Sequence, residues 1–196
     1  MESFGNQAAI SGNSIRIRVL TAFFFTAVTV ACAQVSFRLW FTPVPVTLQV
    51  FAALLAGLAL GSKWGAISQL QYLMLGAMGL PVFAEFKAGA MAFAGPTAGY
   101  LLGFAAGAFA AGWVFERLGG RSFFAALVGG VVGIAAIHFF GFLWVATWLS
   151  FTAGKPLAAC LTSAWLIGTA PFIGVDVLKA IVASGLVLGG RTLHKP

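Results

Sequence analysis

The sequence predicts an all-α membrane protein, a compact bundle of six transmembrane helices with a short extra helix on the outer side before the last span. Three observations carry that prediction. Hydrophobic residues make up 61% of the 196 positions and charged residues 8%, against about 25% charged in soluble domains. At roughly 20 residues per crossing plus short loops, a chain of this length has room for six spans. Its 25 glycines sit among alanines in the apolar stretches, where small residues let helices approach closely in lipid. A net charge of +7 would point to nucleic acid in a soluble protein. Here basic residues flanking spans on the cytoplasmic side explain it. Cys32 and Cys160 lie in apolar surroundings without metal-like spacing, and imply neither a disulfide framework nor a zinc site.

Taken in order, residues 1–14 are rich in Ser, Asn and Gly and read as a polar, frayed cytoplasmic tail. A single six-helix domain is expected over 15–191, with a second cytoplasmic tail at 192–196. The first span begins after Arg16 and Arg18 and reaches Trp40. Its start resembles a secretory signal ending at Ala31-Cys32-Ala33, but apolar sequence continues past that point and a retained span is expected. Thr42-Pro43-Val44-Pro45 cannot be helix interior, so span two covers 46–60. Gly61-Ser62-Lys63 turns into span three over 64–78, which Gly79-Leu80-Pro81 ends. Residues 82–95 are too broken to span and read as a loop or re-entrant cap. Span four covers 96–115, span five 122–149, and a short outer helix lies within 155–169. Span six is 171–191.

The charge distribution orients this arrangement. Arg16, Arg18, Lys63, Arg117, Arg121, Arg191 and Lys195 fall on one side, and Arg38, Lys87 and Lys155 on the other, with Lys179 inside a span. The richer side is cytoplasmic, which puts both termini inside and the start of span six near the outer surface of the membrane.

Span six holds the central chemical feature. Asp176 and Lys179 lie one turn in, and each charge inside a span costs on the order of 3 kcal/mol on insertion scales. At i and i+3 they share a helical face, either as an intrahelical ion pair with Asp176 favoured by the helix dipole, or as a joint site for a polar ligand. The topology brings the 42–49 turn, the 82–95 loop and the start of span six to one end, and with them Thr42, Thr47, Gln49, Glu85, Lys87, Asp176 and Lys179; Gln69, Gln71 and Tyr72 follow in span three. Sparse polar groups among apolar and aromatic walls suit a small polar ligand; for each Gln or Thr the simpler role is an interhelical hydrogen bond. His138 reads as a packing residue inside span five, with a proton relay as the alternative. One intramembrane acid with a distant histidine assembles no hydrolytic site, and no nucleotide-binding or metalloprotease motif occurs. The chain is therefore not expected to be an enzyme, and energy for active transport must come from another chain. Small-xxx-small pairs at Ala27/Ala31, Gly57/Gly61, Gly103/Gly107, Gly129/Gly133 and Gly185/Gly189 mark close helix approaches, within the bundle or to a partner.

In order, TPVPVTLQ at 42–49, GLPVF at 79–83, GPTAGY at 95–100 and the Asp176-x-x-Lys179 helix resemble the BioY family, the biotin-specific S components of energy-coupling-factor (ECF) vitamin transporters. The likeness runs from about residue 15 onward. It implies a six-helix S-component fold with biotin as transported ligand and no cofactor, assembled with a transmembrane T component and two ABC-type ATPases or acting without them, as a homo-oligomer in some arrangements. It also implies that Asp176 and Lys179 belong to the biotin site; Lys87, Gln49, Thr42 and Tyr72, among the polar groups that the topology gathers, are expected as further substrate-binding residues. The 82–95 loop is the expected lid, and Ala27-x-x-x-Ala31 the surface for the T component. Two departures stand out: Gly174-Val175 replaces a Pro-Gly before the acid, and the loop after GLPVF carries Lys87 with Glu85 beside it, an acid that opposes an anionic ligand. The rival readings are an S component for thiamine or riboflavin, and a proton-coupled carrier using Asp176 and His138.

Overall fold

Helices form wherever the apolar runs exceed three turns, and the polar and Pro/Gly-rich connections between them are short. The computed structural model describes the backbone of residues 2–192 and the side chains of 15–190. The side chains of both expected tails, with His194, Lys195 and the side chain of Arg191, lie outside the described residues. Helix α1 (Glu2–Gln34) leads into strand β1 (Ser36–Phe37), which pairs antiparallel with β2 (Val46–Thr47). Helices α2 (Gln49–Leu60) and α3 (Ser62–Ala77) follow, then two single 3₁₀ turns at Ala84–Phe86 and Ala90–Ala94. Next come α4 (Ala98–Arg117), α5 (Phe123–Ala153), α6 (Leu157–Gly168) and α7 (Ala170–Thr192).

Four segments among the described residues are long and apolar enough to cross a membrane: Ile15–Gln34, Ala98–Arg117, Phe123–Ala153 and Ala170–Gly190. The other helices are shorter. At 1.5 Å per residue, the 12 residues of α2 and of α6 reach only about 18 Å. Span two, expected from residue 46, gives its first residues to the β1–β2 ribbon instead. Pro43 and Pro45 leave Val46 and Thr47 extended, and Ser36 and Phe37 supply the matching edge. The short outer helix and the last span are nearly continuous as α6 and α7. Pro171 stands in the first turn of α7, where its missing N–H breaks no helical bond. The free carbonyls at the end of α6 are taken by side chains from elsewhere: Thr42 Oγ1 donates to Ile167 O at 2.6 Å, and Tyr100 Oη donates to Gly168 O.

Helix α2 is the centre. Ala52, Ala53, Leu54, Ala56 and Leu58 are fully buried, and α2 packs against α1, α3, α4, α5 and α7. Small residues set the spacing. A Cβ added to Gly57 would stand 2.1 Å from Ala108 O, and one on Gly107 would enter the Ile137 side chain. Gly61 turns α2 back into α3 at φ +84°, a conformation that disfavours any side chain. Three of the five small-residue pairs, at Gly57/Gly61, Gly103/Gly107 and Gly129/Gly133, therefore include positions packed inside the bundle. Ala27 and Ala31 face outward on α1. A Cβ on Gly185 would meet nothing within 4 Å on the outer side of α7.

This contrast predicts opposite outcomes for the same chemical change. Gly57→Ala forces a methyl onto backbone and costs on the order of 1–3 kcal/mol, outweighing the helix-propensity gain of about 1 kcal/mol. Gly185→Ala keeps that gain without a clash. Thermal unfolding in detergent should place the first variant below the parent and the second at or above it; equal melting of the two would mean that the α2–α4 approach does not limit stability.

Candidate functional site

On α7 the buried positions are Phe172, Asp176, Lys179, Ala180, Ala183, Ser184 and Val187, one stripe at helical period. Val175, Leu178, Ile181, Val182 and Leu186 cover the opposite, apolar face. The register that buries this stripe carries the acid and base inward with it. Asp176 is 2% exposed and Lys179 7%. Lys179 Nζ lies 2.6 Å from Asp176 Oδ1 and donates a second hydrogen bond, at 2.7 Å, to the carbonyl of Thr47 at the end of β2.

The other oxygen of the acid meets α5. His138 lies on that helix's buried stripe with Ile134, Ile137, Gly141 and Val145, and its Nε2 is 2.8 Å from Asp176 Oδ2. The histidine expected to be distant is thus in direct contact with the acid, because α5 and α7 pack side by side, with Gly130 near Ala180 and His138 against Asp176. Sequence gave a cue, a lone histidine in an apolar span, but not the pairing across 38 positions. The Tyr100 ring meets the imidazole edge-on at 5.9 Å, and Phe172 lies at 6.5 Å on another side. Tyr100 itself fits against α5 because residue 141 is glycine; a Cβ there would lie 2.2 Å from the tyrosine ring.

These groups face a cavity of about 230 Å³, at the small end for ligand sites. Pro43, Pro45, Thr47 and Gln49 line one side, Phe83, Lys87 and Met91 of the loop another, and Tyr100, Phe104, His138, Phe172, Asp176 and Lys179 the helical wall. Gln49 opens α2, where Thr47 Oγ1 donates to its Oε1 at 3.1 Å and its Nε2 donates to Tyr72 Oη at 2.6 Å. Of the expected substrate-binding residues, Gln49, Lys87, Asp176 and Lys179 line the cavity. Thr42 and Tyr72 do not. Thr42 is spent on Ile167 and on the amide of Val44, and Tyr72 is fully buried behind Gln49, which it orients.

The loop over the cavity is fastened to the end of α1. Gln34 Nε2 donates to the carbonyls of Val82 and Phe83, and its Oε1 accepts from the amide of Phe86. Glu85 and Phe86 are held at φ +62° and +57°, in the left-handed region that ordinary residues avoid. Glu85 does not stand as a free anion against the ligand. Arg38 pairs with its carboxylate through two hydrogen bonds, and Lys87 Nζ lies 3.0 Å away. The Arg38 guanidinium, despite a smaller opposing effect of burial, holds the carboxyl of Glu85 down from 4.5 to about 2, with Lys87 assisting. Two cations and one anion leave the mouth of the cavity net positive. Neither Gln34 nor Arg38 was singled out as a site residue by sequence, since their partner lies about 50 positions away.

The opposite end of the bundle carries a structural acid. Glu116 accepts from the amide and hydroxyl of Ser62, both at 2.9 Å, and so caps the start of α3.

Comparison with known proteins places this architecture. Residues 7–195 match the model of the BioY family. The biotin transporter BioY of Thermotoga maritima is 39% identical over 177 residues, covering 90% of this chain and 97% of that one. The biotin transporter BioY of Rhizobium etli is 38% identical, covering 87% and 90%. A crystal structure described as the S-component for biotin from an ECF-type ABC transporter superposes with a TM-score of 0.77 at 30% identity, over 92% of this chain and 93% of that one. A family match across nearly the whole length, with the same helical fold in a solved relative, means that the chain belongs to the BioY family.

Proposed function

We propose that this chain binds biotin in the cavity between the β1–β2 turn, the 82–95 loop and helices α4, α5 and α7, and that it mediates biotin uptake across the membrane. The observation that carries the reading is the buried Asp176–Lys179 pair facing a cavity whose walls are largely apolar, with a few polar groups among them, in a chain akin to biotin transporters. A paired charge set presents strong hydrogen-bonding groups with no net charge, which suits the neutral ureido ring. Lys179 uses two donors on Thr47 and Asp176 and keeps a third for a carbonyl. The net-positive mouth with Lys87 suits the valerate carboxylate. Gln49 contributes a fixed amide to the wall.

The same reading extends to topology and assembly. Helices α1, α2, α3, α4, α5 and α7 cross the membrane, α6 lies at the outer end, and both termini face the cytoplasm. Supporting this, the Gly61 turn and the charged 116–121 connection meet at one end through Glu116 and Ser62, and Arg38, Lys87 and Lys155 belong to connections at the other. An ECF module energises transport, its T component docking on Ala27 and Ala31, which are exposed on α1 beside Leu20, Phe23 and Phe24. The 82–95 loop is the lid, and Gln34 is its main fastening. Three hydrogen bonds at about 1 kcal/mol each outweigh an exposed ion pair, a weak contribution by comparison.

Two predictions follow from this site. In calorimetric titration the parent should bind biotin saturably and leave thiamine and riboflavin unbound, while Asp176→Asn should weaken biotin about 30-fold or more. Unchanged binding by a folded Asp176→Asn variant would make the acid purely structural. For the lid, Gln34→Ala should raise amide hydrogen exchange over 82–95 more than Glu85→Gln does. Because the carboxyl of Glu85 is depressed, its pairing is fully present above the ordinary value of 4.5 and fades only as pH falls toward about 2. Lid protection, corrected for intrinsic exchange, should therefore be level between pH 5 and 8; a decline across that window would mean that another group holds the loop.

A further inference from the structure

We infer that Arg38 determines specificity for the anionic end of the ligand, as the counter-ion that frees Lys87 from Glu85. The inference rests on the cavity being the biotin site, with Lys87 meeting the carboxylate. Arg38 is a positioning residue in this role, since it acts through Glu85 and Lys87 and does not line the cavity.

The argument begins with two carboxylates that need one ammonium. Lys87 lines the cavity, whereas Glu85 does not. Lys87 Nζ lies 3.0 Å from Glu85 Oε2, so the acid already pairs with the cation that a ligand carboxylate would use. The backbone around them is tied down. The amide of Phe83 donates to Lys87 O at 3.1 Å, and Gln34 Oε1 accepts from the amide of Phe86. Glu85 and Phe86 keep their left-handed conformations within this turn. Rotation of the lysine's own flexible stem is therefore what carries its ammonium from one carboxylate to the other.

Arg38 decides which way that exchange runs. Its Nε donates to Glu85 Oε1 and its Nη2 to Oε2, so the guanidinium engages both oxygens. A planar two-pronged pair fixes a carboxylate, while an ammonium is a point charge with a single contact here. Of the two cations on Glu85, Lys87 is the one that yields to an incoming carboxylate, and the acid stays paired when it leaves. Without Arg38, Lys87 would be the one cation in contact with Glu85 among the described residues. Its transfer to the ligand would then strand one anion beside another. The charge count runs the same way. The three side chains together leave one positive charge; loss of the guanidinium leaves none, and loss of the carboxylate leaves two. Arg38 holds the carboxyl of Glu85 down to about 2, so this count applies at neutral pH. A neutral ligand is indifferent to it.

The test compares biotin with its primary amide, which has the same ring and chain but no charge. Calorimetric titration of the full chain in detergent gives a Kd for each, and the ratio of the two is the readout. A loosened lid or a less stable fold weakens both ligands alike and leaves that ratio unmoved. In Arg38→Gln the preference for biotin over the amide should fall about 3- to 10-fold. In Glu85→Gln, whose side-chain carbonyl still accepts from Arg38, it should rise by a similar factor. The double variant, with Lys87 alone at the mouth, should return close to the parental ratio. These differences should shrink in about 1 M salt, where the screening length is about 3 Å. An unchanged ratio in folded Arg38→Gln overturns the inference. So does a fall in Glu85→Gln, which would make the acid an aid in presenting Lys87. If thermal unfolding shows Arg38→Gln to be misfolded, Glu85→Gln decides alone, by a rise in the ratio or its absence. A parent that binds neither compound overturns the site reading itself, a result distinct from the others.

Discussion

A carboxylate buried among apolar helices must be neutralised, and that requirement at Asp176 organises much of this fold. The idealised cost of an isolated charge in such surroundings is large, and losing one partner of a buried pair typically costs 3–5 kcal/mol. Asp176 meets the requirement with Lys179 on one oxygen and His138 on the other. Lys179 in turn needs acceptors and finds the Thr47 carbonyl. That bond uses the extended chain that Pro43, Pro45 and the β1–β2 pairing leave before α2. A helical Thr47 carbonyl would be turned along the helix and committed to its own turn. The acid thus ties together α5, α7 and the β1–β2 ribbon, and any ligand in the cavity meets a floor whose polar groups are already fixed.

The scaffold that holds this floor is built from the absence of side chains. Backbone contact of α2 with α4, and of α4 with α5, depends on Gly57, Gly103, Gly107 and Gly133, since hydrophobic burial supplies little force between helices already in lipid. Large side chains are sent outward: Phe139, Phe140 and Leu143 on α5, and Leu178, Ile181 and Val182 on α7. Tight packing on one side and loose apolar cover on the other fix each helix in rotation. Rotation is what aims His138 and Asp176 at each other. A methyl group placed between α4 and α5 would disturb the site without touching it.

Much of this was legible in the residues. The helices are apolar runs ended by Gly, Pro or charge, so their order and approximate limits could be read directly, and the shared face of Asp176 and Lys179 follows from their spacing. What could not be read were pairings across long sequence separations. The contact of His138 with Asp176 depends on how α5 and α7 pack, and the fastening of the 82–95 loop depends on Gln34 and Arg38, which look like an ordinary helix end and a loop cation. Thr42 and Tyr72 were assigned by proximity in topology, and the geometry gives them supporting contacts instead. Periodicity says which way a side chain faces, but not which neighbour has arrived opposite it.

Glu85 shows how far the balance of charge, more than its local sign, bears on the proposed ligand orientation. Alone beside Lys87 it would cancel the cation and leave the mouth indifferent to a carboxylate. Arg38, brought across by the ribbon, pairs with Glu85 from the other side, so one positive charge remains over. At the floor, Asp176 and Lys179 cancel, and His138 completes the polar set. A positive mouth above a neutral, strongly polar floor draws in a molecule that is anionic at one end and neutral but rich in hydrogen-bonding groups at the other. The reversed arrangement would bury the anion beside Asp176 and leave the ureido ring facing solvent. In that orientation the carboxylate would have to compete with Asp176 for Lys179. The charge balance therefore favours the proposed orientation, ring first and carboxylate toward the mouth.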